Sequence, residues 1–119
     1  MPKALPLLDV SSPVCCAPVS AGPIGHEDAV EIALRLKALA DPVRIRLLSL
    51  LLTSDDGEVR TGDLAVATGV AESTTSHHLG RLREAGMIES ERRGMSVFHR
   101  ARGSAIDALR AALDPNCCT

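Results

Sequence analysis

Two vicinal thiol pairs stand at opposite ends of this 119-residue chain, Cys15-Cys16 and Cys117-Cys118, with a run of small polar residues between them, Ser73-Thr74-Thr75-Ser76-His77-His78. A bridge within one thiol pair would be strained, because adjacent trans Cα atoms lie about 3.8 Å apart, below the usual disulfide range of roughly 4.4–6.8 Å. Structural disulfides are also disfavoured in a reducing compartment. Soft thiophilic ions face no such limit, and thiolates are the ligands they prefer. A catalytic thiol needs its pKa lowered by a helix N-terminus or a fixed cation. Nothing near either pair supplies one, since Arg35 and Lys37 are a helix away, so an enzyme is not expected. The polar run suits a different task. A helix that reads DNA needs short hydrogen-bonding side chains at its N-terminus, where base edges lie close, and an apolar back face to hold its angle. Ser73 and Thr74 open such a run, Leu79 and Leu82 supply the back, and Arg81 and Arg83 suit phosphate contacts. His78, beside Leu79, is expected to be partly buried.

Composition bounds the partners. The chain holds one aromatic residue, Phe98, and no Trp or Tyr. It therefore has almost nothing on which to stack the bases of a single strand, or to cage an organic cation. A net charge of −2 argues alone against nucleic acid. Its distribution points the other way: residues 71–102 carry six basic and four acidic groups, and no other segment is net positive. The longest apolar stretch, Leu47 to Leu52, is broken by Ser49 and too short to span a bilayer. Pro6 interrupts Ala4 to Leu8, so a secretory signal is not expected, and the chain reads as cytoplasmic.

The elements that must position these residues can be read in order. Five of the seven prolines lie in residues 1–25, which predicts an extended arm carrying Cys15-Cys16 rather than a helix. A first helix is expected over Glu27 to Ala40, with Val30, Ala33, Leu34, Leu36, Lys37 and Leu39 giving a broad apolar stripe. Asp41-Pro42 starts a second, running to about Thr53 with Ile45, Leu48 and Leu52 inward. Thr61 reads as the N-cap of a short third helix, Gly62 to Thr68, ended by Gly69. Residues 72–85 form the fourth, stopped by Gly86. The alternating segments 87–92 and 96–100 predict a hairpin whose tip carries Arg92 and Arg93, able to reach a flanking groove or DNA backbone. A last helix covers Ser104 to Leu113, with Ile106, Leu109 and Leu113 on one face. The fold class is mainly α with a small β-hairpin, a winged helix-turn-helix over 26–114, followed by a tail at 115–119 carrying Cys117-Cys118.

Two runs carry a resemblance. Lys37-Ala38-Leu39-Ala40-Asp41-Pro42-Val43-Arg44-Ile45-Arg46-Leu47-Leu48 and Ser76-His77-His78-Leu79-Gly80-Arg81-Leu82-Arg83-Glu84-Ala85-Gly86-Met87-Ile88 resemble the ArsR/SmtB family of bacterial metal- and metalloid-responsive repressors. The similarity covers about residues 27–113. It implies a homodimer through the first and last helices, binding to palindromic double-stranded operator DNA without inducer, and release when inducer binds. The family's DNA-contacting serine and histidine fall on Ser76 and His77. Ala71 stands where that family usually caps the recognition helix with Ser, so capping is expected to shift to Ser73. Dimerisation would set two copies of the net-positive segment on one site, about one DNA turn apart.

The family's sensing sites move about the fold. The arsenic-type run at the third helix matches Glu58-Val59-Arg60-Thr61-Gly62-Asp63-Leu64, where both cysteines are missing. The zinc-type site on the last helix needs Asp and His pairs; Asp107 is present, with no His from 100 to 119. The four cysteines remain as inducer ligands. Trivalent arsenic and antimony take three thiolates in a pyramid, so one pair supplies two. Some family members pair an N-terminal Cys-Cys with a cysteine near the end of the second helix, a position that falls about at Asp55 here. The third thiolate would then come from Cys117 or Cys118, of the same or the other subunit. The nine residues from Ala17 to Gly25 could reach roughly 30 Å. The expected inducer is As(III) or Sb(III), with Cd(II), Pb(II) or thiol oxidation as alternatives, and no cofactor.

Overall fold

A computed structural model describes residues 18–113. The element order is α1 (Pro18–Ala21), α2 (His26–Leu39), α3 (Pro42–Thr53), β1 (Val59–Arg60), α4 (Thr61–Thr68), α5 (Glu72–Glu84), β2 (Ile88–Arg93), β3 (Ser96–Ala101) and α6 (Gly103–Leu113). Two compact units result. Leu36–Arg102 forms one, and the described residues up to Arg35 together with those from Gly103 on form the other.

Local chemistry sets the helix ends in the first unit. Asp41 precedes α3 in extended geometry and its Oδ1 accepts the backbone N–H groups of Val43 at 2.8 Å and Arg44 at 3.2 Å, while Pro42 takes the first helical position. Gly69 ends α4 at φ 72°, a left-handed geometry that costs glycine nothing, and its N–H and that of Val70 close on the Ala65 carbonyl. The same closure ends α5, where the Met87 N–H bonds to the Leu82 carbonyl. Leu47, Leu51, Leu64, Leu79, Leu82, Met87 and Ile88 fill the interior. In the other unit, Ile32 and the α6 residues Ala105, Ala108, Leu109 and Ala112 are buried.

The sheet is antiparallel with three strands in the order β1-β3-β2. β2 and β3 pair from Ile88 with Ala101 to Arg93 with Ser96, so the loop is Gly94-Met95. Gly94 has φ 61° and Met95 does not share the positive φ, the pattern of a two-residue turn with glycine first. β1 adds Val59 opposite His99 and Arg60 opposite Phe98. Among the described residues no helix is long and apolar enough to cross a membrane.

The structure departs from the sequence reading at several points. The stretch expected to be an extended arm contains the short helix α1, in which Pro18 occupies the first position, where its missing N–H has no helical partner to lose. The rest of that arm, and the tail, lie outside the described residues. On α3 the inward side is Leu47, Leu48 and Leu51, while Ile45 and Leu52 are 49% and 53% exposed. Arg44 shares the inward side because its guanidinium gives hydrogen bonds to the Ala38 carbonyl and His78. On α2 the buried positions are Asp28, Ile32 and Ala38, whereas Val30, Ala33, Leu34, Leu36 and Lys37 are exposed. On α6, Leu109 is buried among alanines and Leu113 is exposed. Thr61 is not an N-cap. It is the first residue of α4, and its hydroxyl is used elsewhere. Strand β1 is additional to the expected hairpin.

Candidate DNA-binding surface

α4, the turn 69–71 and α5 form the helix-turn-helix. Arg46 of α3 gives hydrogen bonds from its two terminal nitrogens to the carbonyls of Ala67 and Thr68, both at 3.2 Å, which satisfies the open C-terminal end of α4. α5 is seated by Leu79, Leu82 and Thr75, all buried. The Thr75 hydroxyl gives a hydrogen bond to the Ala71 carbonyl at 3.0 Å. With that side down, Ser73, Thr74, Ser76, His77, Arg81 and Arg83 are exposed. Ser73, expected to cap α5, does not: the helix begins at Glu72 with Ala71 as N-cap and no side-chain cap, and Ser73 lies within it, where it has no extended geometry from which to cap.

His78 is half-buried, its Nδ1 accepting the Arg44 Nε–H at 3.0 Å, and its ring meets that of His77 edge-on at 6.0 Å. This bond commits one ring nitrogen of His78 to the protein interior. The same corner holds Asp41. Burial alone would raise its carboxyl pKa, but the N–H groups of Arg44 and Val43, with the charge of Arg44, bring it below the ordinary value. Arg81 pairs with Glu84 at 3.3 Å, and Arg83 gives a hydrogen bond to Ser90 of β2 at 3.4 Å.

The β2–β3 wing separates its two tip arginines by face. Arg93 bonds to both carboxylate oxygens of Glu58, at 2.6 and 3.0 Å, and to Glu91 at 2.7 Å, and its guanidinium lies 4.5 Å from the centre of the Phe98 ring. Arg100 extends this network to Glu89 at 3.0 Å and Glu58 at 3.3 Å. The Arg93 pKa is raised, first by the hydrogen bond to Glu58 and then by that to Glu91. Arg92 is exposed and makes no ion pair among the described residues. Between the wing and the helix-turn-helix lies an open cavity of about 320 Å³ whose lining includes Arg60, Glu72, Ser76 and Met95. Of the residues expected to meet DNA, the structure thus brings Ser73, Thr74, Ser76 and His77 to one exposed side, keeps Arg92 open, and engages Arg81, Arg83 and Arg93 with protein partners. Arg44, Arg46 and Glu58, which do much of the positioning, carry no periodic signal that would have singled them out.

A three-helix core with a helix-turn-helix and a two-stranded wing is the architecture of a DNA-binding transcriptional regulator rather than an enzyme. Residues 41–90 match the family model described as bacterial regulatory protein, arsR family. The HTH-type transcriptional regulator YgaV of Escherichia coli K12 is 34% identical over 85 residues, covering 71% of this chain and 84% of that one. The arsenic resistance transcriptional regulator ArsR1 of Pseudomonas putida KT2440 is 33% identical over 103 residues, covering 82% and 79%. A solution structure of a homodimeric winged helix-turn-helix DNA-binding domain from Mycobacterium bovis is similar at TM-score 0.58 and 31% identity, covering 75% of this chain and 80% of that one. The chain belongs to the arsR family of bacterial regulatory proteins.

Cys15, Cys16, Cys117 and Cys118 lie outside the described residues. Among the described residues no group of three or more His, Cys, Asp or Glu side chains is placed to hold a metal ion.

Proposed function

We propose that this chain is a cytoplasmic homodimeric repressor that occupies a palindromic operator through α5 and the wing, and leaves it when trivalent arsenic or antimony binds cysteine thiolates. The observation that carries the DNA half is the two-sided character of α5: Ser73, Thr74, Ser76 and His77 exposed in its first two turns, over a back fixed by Thr75, Leu79 and Leu82. Exposed hydroxyls and an imidazole at that end can donate to or accept from base edges and phosphates. Apolar residues left exposed on α2, among them Val30 and Leu34, support a second copy as the partner that covers them.

The inducer half rests on the thiols. Cys15-Cys16 supplies two adjacent soft ligands, and Cys117 or Cys118 supplies a third. That one sequence relative is named an arsenic resistance transcriptional regulator, from Pseudomonas putida, supports choosing a metalloid as the inducer. Capture of the ion would tie the two chain ends together and change the spacing of the recognition helices. A coupling of about 1–3 kcal/mol lowers DNA affinity roughly 5- to 150-fold.

The test is an anisotropy titration of operator duplex under reducing conditions with arsenite, antimonite, cadmium, lead and zinc in separate runs. Release by arsenite or antimonite, abolished when Cys15 and Cys16 are both replaced by Ser, is the expected result. Metalloid-driven release that survives the double replacement overturns the site. Release by cadmium or lead alone, or by oxidant alone, overturns the choice of inducer.

A further inference from the structure

His99 sits in the middle of β3, 3% exposed, opposite Val59 of β1 on one side and Ser90 of β2 on the other. Both of its ring nitrogens are used. Nδ1 lies 2.7 Å from the Ser90 hydroxyl and Nε2 lies 2.8 Å from the Thr61 hydroxyl. The two ends of this chain fix its direction. The Arg83 guanidinium, 3.4 Å from the Ser90 oxygen, can only donate, and the Val97 carbonyl, 3.5 Å from the Thr61 oxygen, can only accept. Arg83 therefore gives to Ser90, Ser90 gives to Nδ1, the Nε2–H gives to Thr61, and Thr61 gives to Val97. One tautomer of a neutral imidazole satisfies every group. The chain runs from α5 through β2 and β3 to α4, touching both helices of the helix-turn-helix and both strands of the wing.

We propose that His99 is a positioning residue for DNA binding that acts only as the neutral imidazole: through Ser90 and Thr61 it fixes the wing against both helices of the helix-turn-helix, and through Ser90 it holds Arg83. The proposal rests on the reading that α5 and the wing contact DNA. A proton on Nδ1 would turn that acceptor into a second donor facing Ser90, strand the serine proton, and set a cation near Arg83.

Burial, then the charge of Arg83, holds the His99 pKa below its ordinary value of 6.5. Other charges around it are committed elsewhere. On α3, Arg44 and Arg46 give to carbonyls and His78; Arg60 of β1 pairs with Asp63 of α4; Glu89 and Glu91 lie on the opposite face of β2 from Ser90, and both pair with arginines there. Arg92, two residues along from Ser90 on the same face, is exposed. For a histidine whose folded pKa is lowered, the unfolded chain binds the proton more readily. Nothing is lost above pH 6.5, and the arrangement weakens as pH falls below 6.5 toward the folded value.

The experiment uses the full chain and measures operator affinity from pH 7.5 to 5.5 at constant ionic strength, beside the ¹⁵N shifts of the His99 ring. Wild type is expected to bind equally well at pH 7.5 and 6.5 and to lose affinity only below pH 6.5, toward the acid end of the range. His99→Phe, which keeps a flat ring without a titrating nitrogen, is expected to bind more weakly at pH 7.5 and to lose the acid limb. Should that variant fail to fold, Ser90→Ala keeps His99 while removing both its Nδ1 partner and the Arg83 anchor, and is expected to flatten the same limb. The ring is expected as the Nε2–H tautomer, half-protonated below pH 6.5. An acid limb unchanged in both variants, an Nδ1–H tautomer, or a ring half-charged above pH 6.5 overturns the proposal. Wild type that ignores operator at pH 7.5 sinks the DNA reading instead, and leaves the tautomer and its titration to be read independently.

Discussion

Adjacent residues of a strand face opposite sides of the sheet, and this separates Arg92 from Arg93 although both were expected at DNA. Arg93 is held by two carboxylates and by the face of Phe98, on the side of the wing that also carries Glu89 and Arg100. Arg92 is exposed on the side shared with Ser90 and His99. A cation already paired releases few counterions on meeting phosphate, whereas an open one releases about 0.9. Arg92→Ala is therefore expected to lower the salt slope of operator binding by about 1.8, for one contact in each half-site of a dimer, and Arg93→Ala to leave the slope near that of wild type. Affinities measured between roughly 50 and 200 mM salt decide between them. Arg93 has a different signature. Its hydrogen bond, opposed by burial and reinforced by the charges of Arg93 and Arg100, holds the Glu58 carboxyl below its ordinary value of 4.5. A lowered carboxylate pKa gives stability that is complete above pH 4.5 and lost as pH falls toward the folded value. Thermal melts should show that acid loss in wild type and a smaller one in Arg93→Ala.

At the scale of the element, α5 is a plank whose underside does the holding. Leu82 is fully buried, as is Leu79 on the same side. Leu82→Ala is expected to cost about 2–5 kcal/mol, read from urea unfolding, with operator binding weakened in step. How much of this was legible follows from where each signal resides. Asp41-Pro42, Gly69 and Gly86 announce helix ends through bonds made within a few residues, and the helices begin and end close to where those residues place them. The exposed run Ser73, Thr74, Ser76 and His77 follows from the 3.6-residue period once Leu79 and Leu82 are inward. The inward side of α3 does not follow, because five of the six residues from 47 to 52 are leucine and any angle finds apolar residues. Strand β1 has two residues and exists only by pairing with β3, with His99 forty positions after Val59. The commitment of Arg93 to Glu58 is equally non-local. Thr75 reads as one more polar residue of the DNA face, yet its hydroxyl finds a backbone carbonyl and the residue is fully buried.

For the whole molecule, the apolar residues that the sequence assigned to the core and the structure leaves outside are informative together. Val30 and Leu34 lie one helical turn apart on α2, and Leu34 is 56% exposed; Leu113 of α6 is exposed as well. Removing apolar surface from water favours covering such residues by about 25 cal/mol for each Å², and in the proposed dimer a second copy covers them. Ile45 and Leu52 are exposed to a similar degree on α3, so exposure alone does not mark the interface, and the two faces make opposite predictions. Leu34→Glu places a charge in the dimer contact and is expected to sediment as a 12.5 kDa monomer. Ile45→Glu is expected to remain a dimer. Because Leu34 packs little within its own chain, the far-UV spectrum of Leu34→Glu should match wild type. A monomer presents one recognition helix to a two-part site, so its operator affinity should fall toward non-specific levels, a loss of about a thousandfold or more. In the proposed dimer the net charge stays negative, and what changes is placement: two copies of the net-positive segment 71–102 would face one site about one DNA turn apart, with the acidic groups lying elsewhere. A Leu34→Glu protein that stays dimeric and grips operator as wild type does would move the interface to another face, and Ile45→Glu then becomes the variant expected to break it.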